Sequence, residues 1–291
     1  MAWLIQSFVF LLVGCLGCNG RVEIESNIIY RKVEQQELKL DLYLPKSVLK
    51  KRRPAIIALH GGAWRQGNKG DMSEIAIKLA NRGYVVAAVQ YRFAPESVFP
   101  SQLEDVQAAV RWIREHADQY QLDGKKIGGI GASAGAHLVS MLGLVDDPSY
   151  PISSQITCVV SLAGPVDLRL STCRKELAES PALEQVEQWL VDFIGQPYNS
   201  QNDQLWRSAS PLFQVSKKSP PFFLIHGTAD QVVSIKQAEA LVELLSDQSV
   251  PVAYRYIPKL NHSLDVNYWV LLRFWQALKA SFRFLDRHLK Q

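Results

Sequence analysis

Residues 127–143, IGGIGASAGAHLVSMLG, decide the fold of this 291-residue chain. The stretch begins with the apolar residues 127–130, passes through GASAG at 131–135, and continues as an apolar helical pattern over 136–144. A strand, a sharp turn and a helix in this order form the setting in which a serine is presented as a nucleophile at a sheet edge. Small residues on both sides of Ser133 let the chain turn tightly. The stretch therefore predicts an α/β fold with Ser133 as a nucleophile.

Short apolar runs recur along the chain and alternate with helical patterns. Such runs are typical of parallel strands buried on both faces. The start of the chain differs, because residues 37–44 alternate between apolar and polar side chains and pair naturally with residues 28–33. We predict an α/β-hydrolase fold: a mostly parallel sheet with antiparallel N-terminal strands and helices on both faces. The apolar runs are 55–59, 84–89, 127–130, 156–163, 222–225 and 252–257.

One segment, residues 165–211, interrupts the alternation. It is far longer than an ordinary connection, which has a median length of ~4–6 residues. It contains an amphipathic stretch over 184–194. We predict a small helical, cap-like insertion over the active site, inside one α/β-hydrolase domain of residues 21–291.

The first twenty residues have the character of an export signal. Residues 2–13 are mostly apolar and uncharged, and too short for a spanning helix, which needs about 20 residues. The motif Leu12-Val13-Gly14-Cys15 resembles the lipobox of bacterial lipoproteins, although no Lys or Arg precedes Arg21. We predict an exported protein, periplasmic or membrane-anchored as a lipoprotein through Cys15. An uncleaved N-terminal anchor is the alternative.

Composition gives no support for several other classes of function. The formal net charge is +4, from 32 basic and 28 acidic residues, which does not favour nucleic acid as a partner. Of the four cysteines, Cys15 and Cys18 lie in or beside the signal, and Cys158 lies in an apolar run. The pattern predicts neither a disulfide framework nor a metal site, and the chemistry proposed below needs no cofactor.

A glycine-rich loop, HGGAW at 60–64, directly follows the apolar run 55–59. Attack on a carbonyl develops negative charge on its oxygen, and backbone N–H groups must already point there. Glycines let the backbone approach the substrate. We predict an oxyanion hole formed by N–H groups of Gly61 or Gly62, Ala63 and Ala134. Trp64 is either a structural aromatic or a residue lining the acyl or alcohol pocket.

The remaining catalytic residues are expected at two later strand ends. Asp230 closes HGTAD at 226–230, after the run 222–225, and His262 follows the run 252–257. The chain order Ser133, Asp230, His262 is that of an α/β-hydrolase triad. His262 would act as the base and acid, and Asp230 would orient its imidazole.

Other histidines and aspartates compete for these roles. His137, four residues after Ser133, is an alternative base, although it is expected to pack beneath the nucleophile. His60 and His226 are expected to hydrogen-bond nearby loops. Three aspartates compete with Asp230, one of which is expected to cap the last helix: Asp167, Asp247 and, as the cap, Asp265.

Taken together, these motifs resemble a known family. The runs are HGGAWRQGNK (60–69), YRFAPESVFPSQLEDVQAAVRWIREHA (91–117), IGGIGASAGAHLVSMLG (127–143), SPLFQVSKKSPPFFLIHGTADQVV (210–233) and PKLNH (258–262). They resemble bacterial esterases related to the hormone-sensitive lipases, most closely the BD-FAE-like (bifunctional feruloyl and acetyl-xylan esterase-like) branch. The resemblance implies Ser133, Asp230 and His262 as the triad, with Gly61, Gly62 and Ala134 at the oxyanion hole. Where relatives often have Gly just before the His, this chain has Lys259-Leu260-Asn261.

The expected function is that of a serine carboxylic-ester hydrolase acting through an acyl-enzyme. The resemblance implies short-acyl, acetyl-type esters, with small molecules or glycans as the alcohol half. An amidase such as a kynurenine formamidase, or a peptidase, is the alternative within hydrolases. A non-catalytic, surface-binding lipoprotein on a hydrolase scaffold is the alternative from another class. The oligomeric state stays open.

Overall fold

A computed structural model describes residues 22–46 and 51–291 of the chain. The expected signal over 1–20, with Cys15, lies outside the described residues. Among the described residues, no helix combines the length and the hydropathy needed to cross a bilayer.

Eight strands form one sheet in the order β1-β2-β4-β3-β5-β6-β7-β8. The pairs β1–β2 and β2–β4 are antiparallel, and all the other neighbours are parallel. This is the predicted mostly parallel sheet with antiparallel N-terminal strands. The strands are β1 (Val22–Val33), β2 (Gln36–Pro45), β3 (Arg53–Leu59), β4 (Val85–Val89), β5 (Leu122–Ala132), β6 (Cys158–Leu162), β7 (Phe222–Gly227) and β8 (Val252–Ile257).

Helices cover both faces of the sheet, and two hydrophobic cores result. Every residue of β3, β4 and β6 is buried, as their continuous apolar sequences predict. One core packs α2, α3 and α7 against the sheet, and the other packs α1 and α8 against the opposite face. The helices are α1 (Ser73–Ala80), α2 (Ser101–Glu115), α3 (Ala134–Leu144), α4 (Leu170–Glu176), α5 (Leu183–Ile194), α6 (Asp203–Ser208), α7 (Ile235–Asp247) and α8 (Tyr268–Leu289).

The alternation in β2 predicts one buried face, but the structure buries the other as well. Leu38, Leu40 and Leu42 are fully buried, as expected. Asp41 and Tyr43 are also buried, because the end of the sheet that holds β2 is covered on both faces. Asp41 keeps its polar contacts there, since it accepts hydrogen bonds from the Asn27 amide (2.8 Å) and from Lys69 Nζ (3.0 Å).

The insertion over 165–211 contains three short helices, α4, α5 and α6. It contacts two loops at the carboxyl edge of the sheet. Asp192 of α5 pairs with Arg65 in the loop after β3, at 2.5 Å. Ser180 Oγ donates to the carbonyl of Gln231, in the loop after β7, at 2.6 Å. The insertion therefore connects the regions expected to supply the oxyanion hole and the acidic triad residue.

Candidate active site

Ser133 occupies the sharp turn between β5 and α3. Its φ of 53° and ψ of −120° lie in a region that a non-glycine residue rarely adopts. Such strain persists only where the surroundings hold it. Here the Ser133 N–H donates to the Leu162 carbonyl at 2.8 Å, and the Ser133 carbonyl accepts from the His137 N–H at 3.0 Å. The turn is thereby anchored to both β6 and α3.

The two glycines of the turn are required by close packing. A Cβ on Gly131 would lie 2.2 Å from the Gly135 carbonyl oxygen. A Cβ on Gly135 would lie 2.2 Å from the Leu59 oxygen and 2.4 Å from the His60 oxygen. Only glycine lets α3 start this close to the ends of β5 and β3. The GxSxG spacing is thus a packing requirement that brings Ser133 next to the 60–64 loop.

Ser133, His262 and Asp230 are in contact, although the chain separates them by up to 129 positions. His262 Nε2 lies 2.9 Å from Ser133 Oγ. His262 Nδ1 lies 2.7 Å from Asp230 Oδ2. The three residues follow β5, β8 and β7, and the carboxyl ends of these parallel strands lie at the same edge of the sheet.

Asp230 is buried, and both oxygens of its carboxylate accept hydrogen bonds from the protein. Its Oδ1 accepts two hydrogen bonds of 2.9 Å from the N–H groups of Val232 and Val233. Burial by itself raises the pKa of Asp230, but the charge of His262 and the hydrogen bonds from His226 and His262 outweigh it and lower that pKa well below its usual value. The Asp230 carboxylate is therefore ionised and can only accept a hydrogen bond. His262 Nδ1 must accordingly carry the hydrogen that it donates to Asp230 Oδ2. Nε2 is left to accept the Ser133 proton.

A second histidine, His226, lies beside the same carboxylate. Its Nε2 is 2.8 Å from the Val233 carbonyl, which can only accept, so Nε2 must hold a hydrogen. That nitrogen also lies 3.5 Å from Asp230 Oδ2. The sequence predicted the bond to a nearby loop, and the structure confirms it. The approach of His226 to Asp230 was not predicted from the sequence. The available signal was the four-residue spacing between them in the turn after β7.

The 60–64 loop lies directly beside Ser133. A Cβ on Gly61 would lie 3.3 Å from Ser133 Cβ and 3.1 Å from the Ala132 oxygen, so this backbone is adjacent to the serine. Gly62, Ala63 and Trp64 all have positive φ, of 115°, 53° and 57°. This left-handed run turns the chain back, and the N–H groups of Arg65 and Gln66 both donate to the Gly62 carbonyl. His60 lies beneath, with Nδ1 2.7 Å from the Gly61 carbonyl oxygen, as expected of a loop-bonding histidine.

The interpretation of Trp64 as a pocket-lining residue is wrong. Its side chain is 3% exposed and stacks on Phe193 of α5, with ring centroids 4.3 Å apart. Its indole N–H donates to His137 Nδ1 at 3.2 Å. The positive φ of Trp64 directs the ring into the core, so it is a structural aromatic that joins the loop, α3 and the insertion.

The competing histidine and aspartates lie elsewhere. His137 is fully buried, with Nε2 2.7 Å from the Ala209 carbonyl and Nδ1 bonded to Trp64, so both ring nitrogens are used. Asp167 binds Arg169 and Thr172, and Asp247 ends α7. The prediction that Asp265 caps the last helix is wrong: α8 begins at Tyr268, and the side chain of Asn267 caps it.

Comparison with known proteins shows the family of this chain. The BD-FAE family model matches residues 40–245, which include Ser133 and Asp230. The chain belongs to the BD-FAE family. It is 30% identical to Esterase LipC of Mycobacterium tuberculosis over 78% of this chain and 57% of LipC. The chain spans about half the length of the curated mycobacterial esterases that it matches.

Solved structures similar to this BD-FAE protein share its α/β-hydrolase fold. A truncated carbohydrate esterase from gut microbiota superimposes with a TM-score of 0.74 at 24% identity, covering 93% of this chain and 98% of that one. Esterase Est2 of the planctomycete Thermogutta terrifontis, with bound propionate, superimposes with a TM-score of 0.75 at 24% identity, covering 92% and 94%. The predicted fold class is confirmed.

The loop before His262, Lys259-Leu260-Asn261, has no glycine of its own and packs closely against the end of β7. Lys259 takes the left-handed conformation itself, with φ of 65°, and its N–H donates to Thr228 Oγ1 at 3.1 Å. Leu260 is buried, and its carbonyl accepts from the Ala229 N–H at 3.0 Å. A Cβ on Gly227 would lie 2.1 Å from that carbonyl oxygen, so a glycine at the end of β7 is required for the loop to pack this closely.

Within residues 22–46 and 51–291, no group of three or more His, Cys, Asp or Glu side chains is placed to hold a metal ion.

Proposed function

We propose that this BD-FAE family protein is a serine carboxylic-ester hydrolase that acts through an acyl-enzyme on Ser133. One observation carries the proposal: His262 contacts Ser133 Oγ with Nε2 at 2.9 Å and Asp230 Oδ2 with Nδ1 at 2.7 Å. This is a continuous path for one proton from hydroxyl to imidazole, with a carboxylate to hold the imidazolium. The name of the relative LipC, an esterase, supports the same class.

The reaction follows from these positions. Ser133 Oγ attacks the ester carbonyl carbon and forms a bond to it, while its proton moves to His262 Nε2. The tetrahedral intermediate then breaks its bond to the alcohol oxygen, which takes the proton back from His262 and leaves. Water attacks the acyl-enzyme in the same way, with His262 as base, and releases the carboxylic acid and Ser133. Asp230 stays ionised throughout.

The negative oxygen of the intermediate needs donors next to Ser133. We assign this role to the N–H of Ala134, the first residue of α3, and to N–H groups of Gly61 or Gly62 and Ala63. The contact of Gly61 with Ser133 supports the assignment, as does the helix N-terminus behind Ser133, which favours negative charge. A single such donor is worth ~2.7–4 kcal/mol in a studied protease.

For the substrate we propose short-acyl, acetyl-type esters, including esters of carbohydrates. The similar structures comprise a carbohydrate esterase and an esterase with bound propionate, a short acyl group. Two side chains of α5, Phe193 and Asp192, contact Trp64 and Arg65 at the end of the 60–64 loop. Because the insertion lies against this loop, we propose that it limits the size of the acyl pocket.

The test is turnover of p-nitrophenyl acetate by Ser133→Ala and, as a matched control, Ser246→Ala. Ser246 is exposed on α7, and its side-chain hydroxyl donates to the Val242 carbonyl of the same helix. We expect Ser133→Ala to lose at least about a thousandfold in kcat and Ser246→Ala to be unchanged. Full turnover by Ser133→Ala would rule out the proposal.

Two further measurements separate the alternative functions. Covalent labelling of Ser133 by a fluorophosphonate is expected for the hydrolase, and a folded protein that is not labelled would be a binding protein on this scaffold. Hydrolysis of N-formylkynurenine at a higher kcat/KM than acetyl esters would make the protein an amidase instead.

A further inference from the structure

A cavity of about 350 Å³ lies between β8 and α8. Its volume is at the lower end of the ~300–1,000 Å³ range of small-ligand pockets, and it is a half-open groove and not an enclosed void. The cavity is distinct from the triad, since none of the three triad residues lines it. Because β8 is the edge strand of the sheet, the cavity borders open solvent. Its lining includes three arginines, a tyrosine, a glutamine and a proline: Arg255, Arg273, Arg283, Tyr256, Gln276 and Pro258.

Three arginines converge on this cavity without acidic partners. Arg255 is on β8, and Arg273 and Arg283 are on α8; all three are exposed. Among the described residues, none of the three forms an ion pair, and the Arg255 guanidinium donates to the Tyr254 carbonyl. Eight other arginines of the described chain do pair with carboxylates, while Arg111 and Arg114 donate to backbone carbonyls. The eight are Arg31, Arg52, Arg65, Arg82, Arg92, Arg169, Arg174 and Arg207.

The placement of these arginines follows from the helix. Residues 273, 276, 280 and 283 are spaced by three or four positions, so they share one face of α8. Small Ala277 and Ala280 at the cavity leave open space between the helix and Arg255. Guanidinium groups that face one space repel one another, and an oxyanion between them would remove that repulsion through charge-assisted, bidentate hydrogen bonds.

Exposed aromatic rings continue the same face of the helix. Trp269 lies one turn before Arg273, at the i, i+4 spacing that makes side chains neighbours. Trp269 and Tyr268 are each 69% exposed, and their ring centroids are 5.6 Å apart. A flat, exposed indole presents an apolar face that can pack on the C–H face of a sugar ring. A free inorganic anion has no apolar surface to pack there.

We propose that the β8–α8 cavity is a binding site for an acidic sugar, whose carboxylate or sulfate group lies among Arg255, Arg273 and Arg283 and whose ring packs on Trp269. The site lies behind the loop that holds His262, since residues 258–267 connect the two elements that form the cavity. It is a binding site without chemistry of its own, and it exists whether or not the protein is an esterase.

The test is calorimetric binding of tri-galacturonic acid by the full chain, compared with neutral cellotriose, inorganic phosphate and phosphatidylglycerol vesicles. We expect tri-galacturonic acid to bind, cellotriose to bind at least about tenfold more weakly, and the affinity for the acid to fall as NaCl is raised. The double variant Arg273→Gln/Arg283→Gln should weaken this binding by about tenfold or more.

A matched control is Arg287→Gln, an exposed arginine one turn beyond Arg283 that does not line the cavity. It should bind like the unmodified chain. Trp269→Ala should weaken tri-galacturonic acid about fivefold and leave phosphate unchanged. Thermal melting of each variant checks the fold.

Three results would overturn the proposal. Equal binding of tri-galacturonic acid by the unmodified chain and the arginine double variant would show that these arginines do not form a binding site for it. Binding of phosphate without tri-galacturonic acid would make it a site for a free anion. Binding of anionic vesicles without tri-galacturonic acid would make it a membrane-contact surface.

Discussion

The indole N–H of Trp64 donates a hydrogen bond to Nδ1 of His137 across 3.2 Å, inside the protein core. This bond joins the 60–64 loop to α3, and the other nitrogen of His137 joins α3 to the insertion through the Ala209 carbonyl at 2.7 Å. The imidazole must be neutral to make both bonds, because Nδ1 accepts and Nε2 donates. Burial accordingly lowers the pKa of His137 to about 4.

Acid should therefore destabilise the protein through His137. The unfolded chain binds a proton at this residue near pH ~6.5, but the folded chain only near its lowered pKa, so stability is lost as pH falls from ~6.5 towards 4. Between pH 7.5 and 5 we expect a loss of about 2 kcal/mol in the free energy of unfolding from this residue. Urea unfolding at the two pH values measures it.

His137→Gln should reduce this acid loss, because an amide can accept from Trp64 and donate to Ala209 without titrating. Part of the loss should remain, since burial also lowers the pKa of His60. His116→Gln, on the surface end of α2, is the matched control and should keep the full loss. The idea fails if His137→Gln has the same pH dependence as the unmodified chain.

Asp230→Asn should lower kcat for p-nitrophenyl acetate by about a thousandfold or more, with a smaller change in KM. The amide cannot stabilise the imidazolium of His262, and it can hold the ring in the wrong tautomer. Asp247→Asn and Asp265→Asn are matched controls, since the structure places neither on His262 Nδ1. A large loss of kcat in either control, with little loss in Asp230→Asn, would assign the acidic residue of the triad to that control position instead of Asp230.

His226→Leu should lower kcat about tenfold through Asp230, because the turn that presents Asp230 loses its bond to the Val233 carbonyl. His226→Gln, which can still donate to that carbonyl, should restore kcat to within about threefold. Steady-state kinetics with thermal melting separates this positioning effect from unfolding. Equal kcat in both variants at equal melting temperature would show that His226 does not position Asp230.

Gly135→Ala should prevent stable folding, since its Cβ would lie 2.2 Å from the Leu59 oxygen, and backbone on both sides leaves no room to relax. We expect a loss of at least about 4 kcal/mol in the free energy of unfolding, or no soluble protein. Gly124→Ala is the matched control, because its Cβ would meet only ordinary contacts, the nearest at 3.6 Å. A soluble, normally stable Gly135→Ala protein would contradict the packing argument.

The local patterns of the sequence determined much of this protein by themselves. The strand, turn and helix around Ser133, the alternation in β2 and the buried strands follow from neighbouring residues, because periodicity and turn chemistry act over a few positions. Chain order, together with a position just after a strand end, was enough to choose Ser133, Asp230 and His262, which the structure brings into contact.

Tertiary structure alone decided which distant groups meet. The positive φ of Trp64 turned its ring into the core, and strand order placed the ends of β5, β7 and β8 side by side. The same folding brought His226 beside Asp230 and gathered the arginines of β8 and α8 around one cavity. Such distances depend on sheet order, register and helix packing, which join residues far apart in the chain and leave no periodic signal in it.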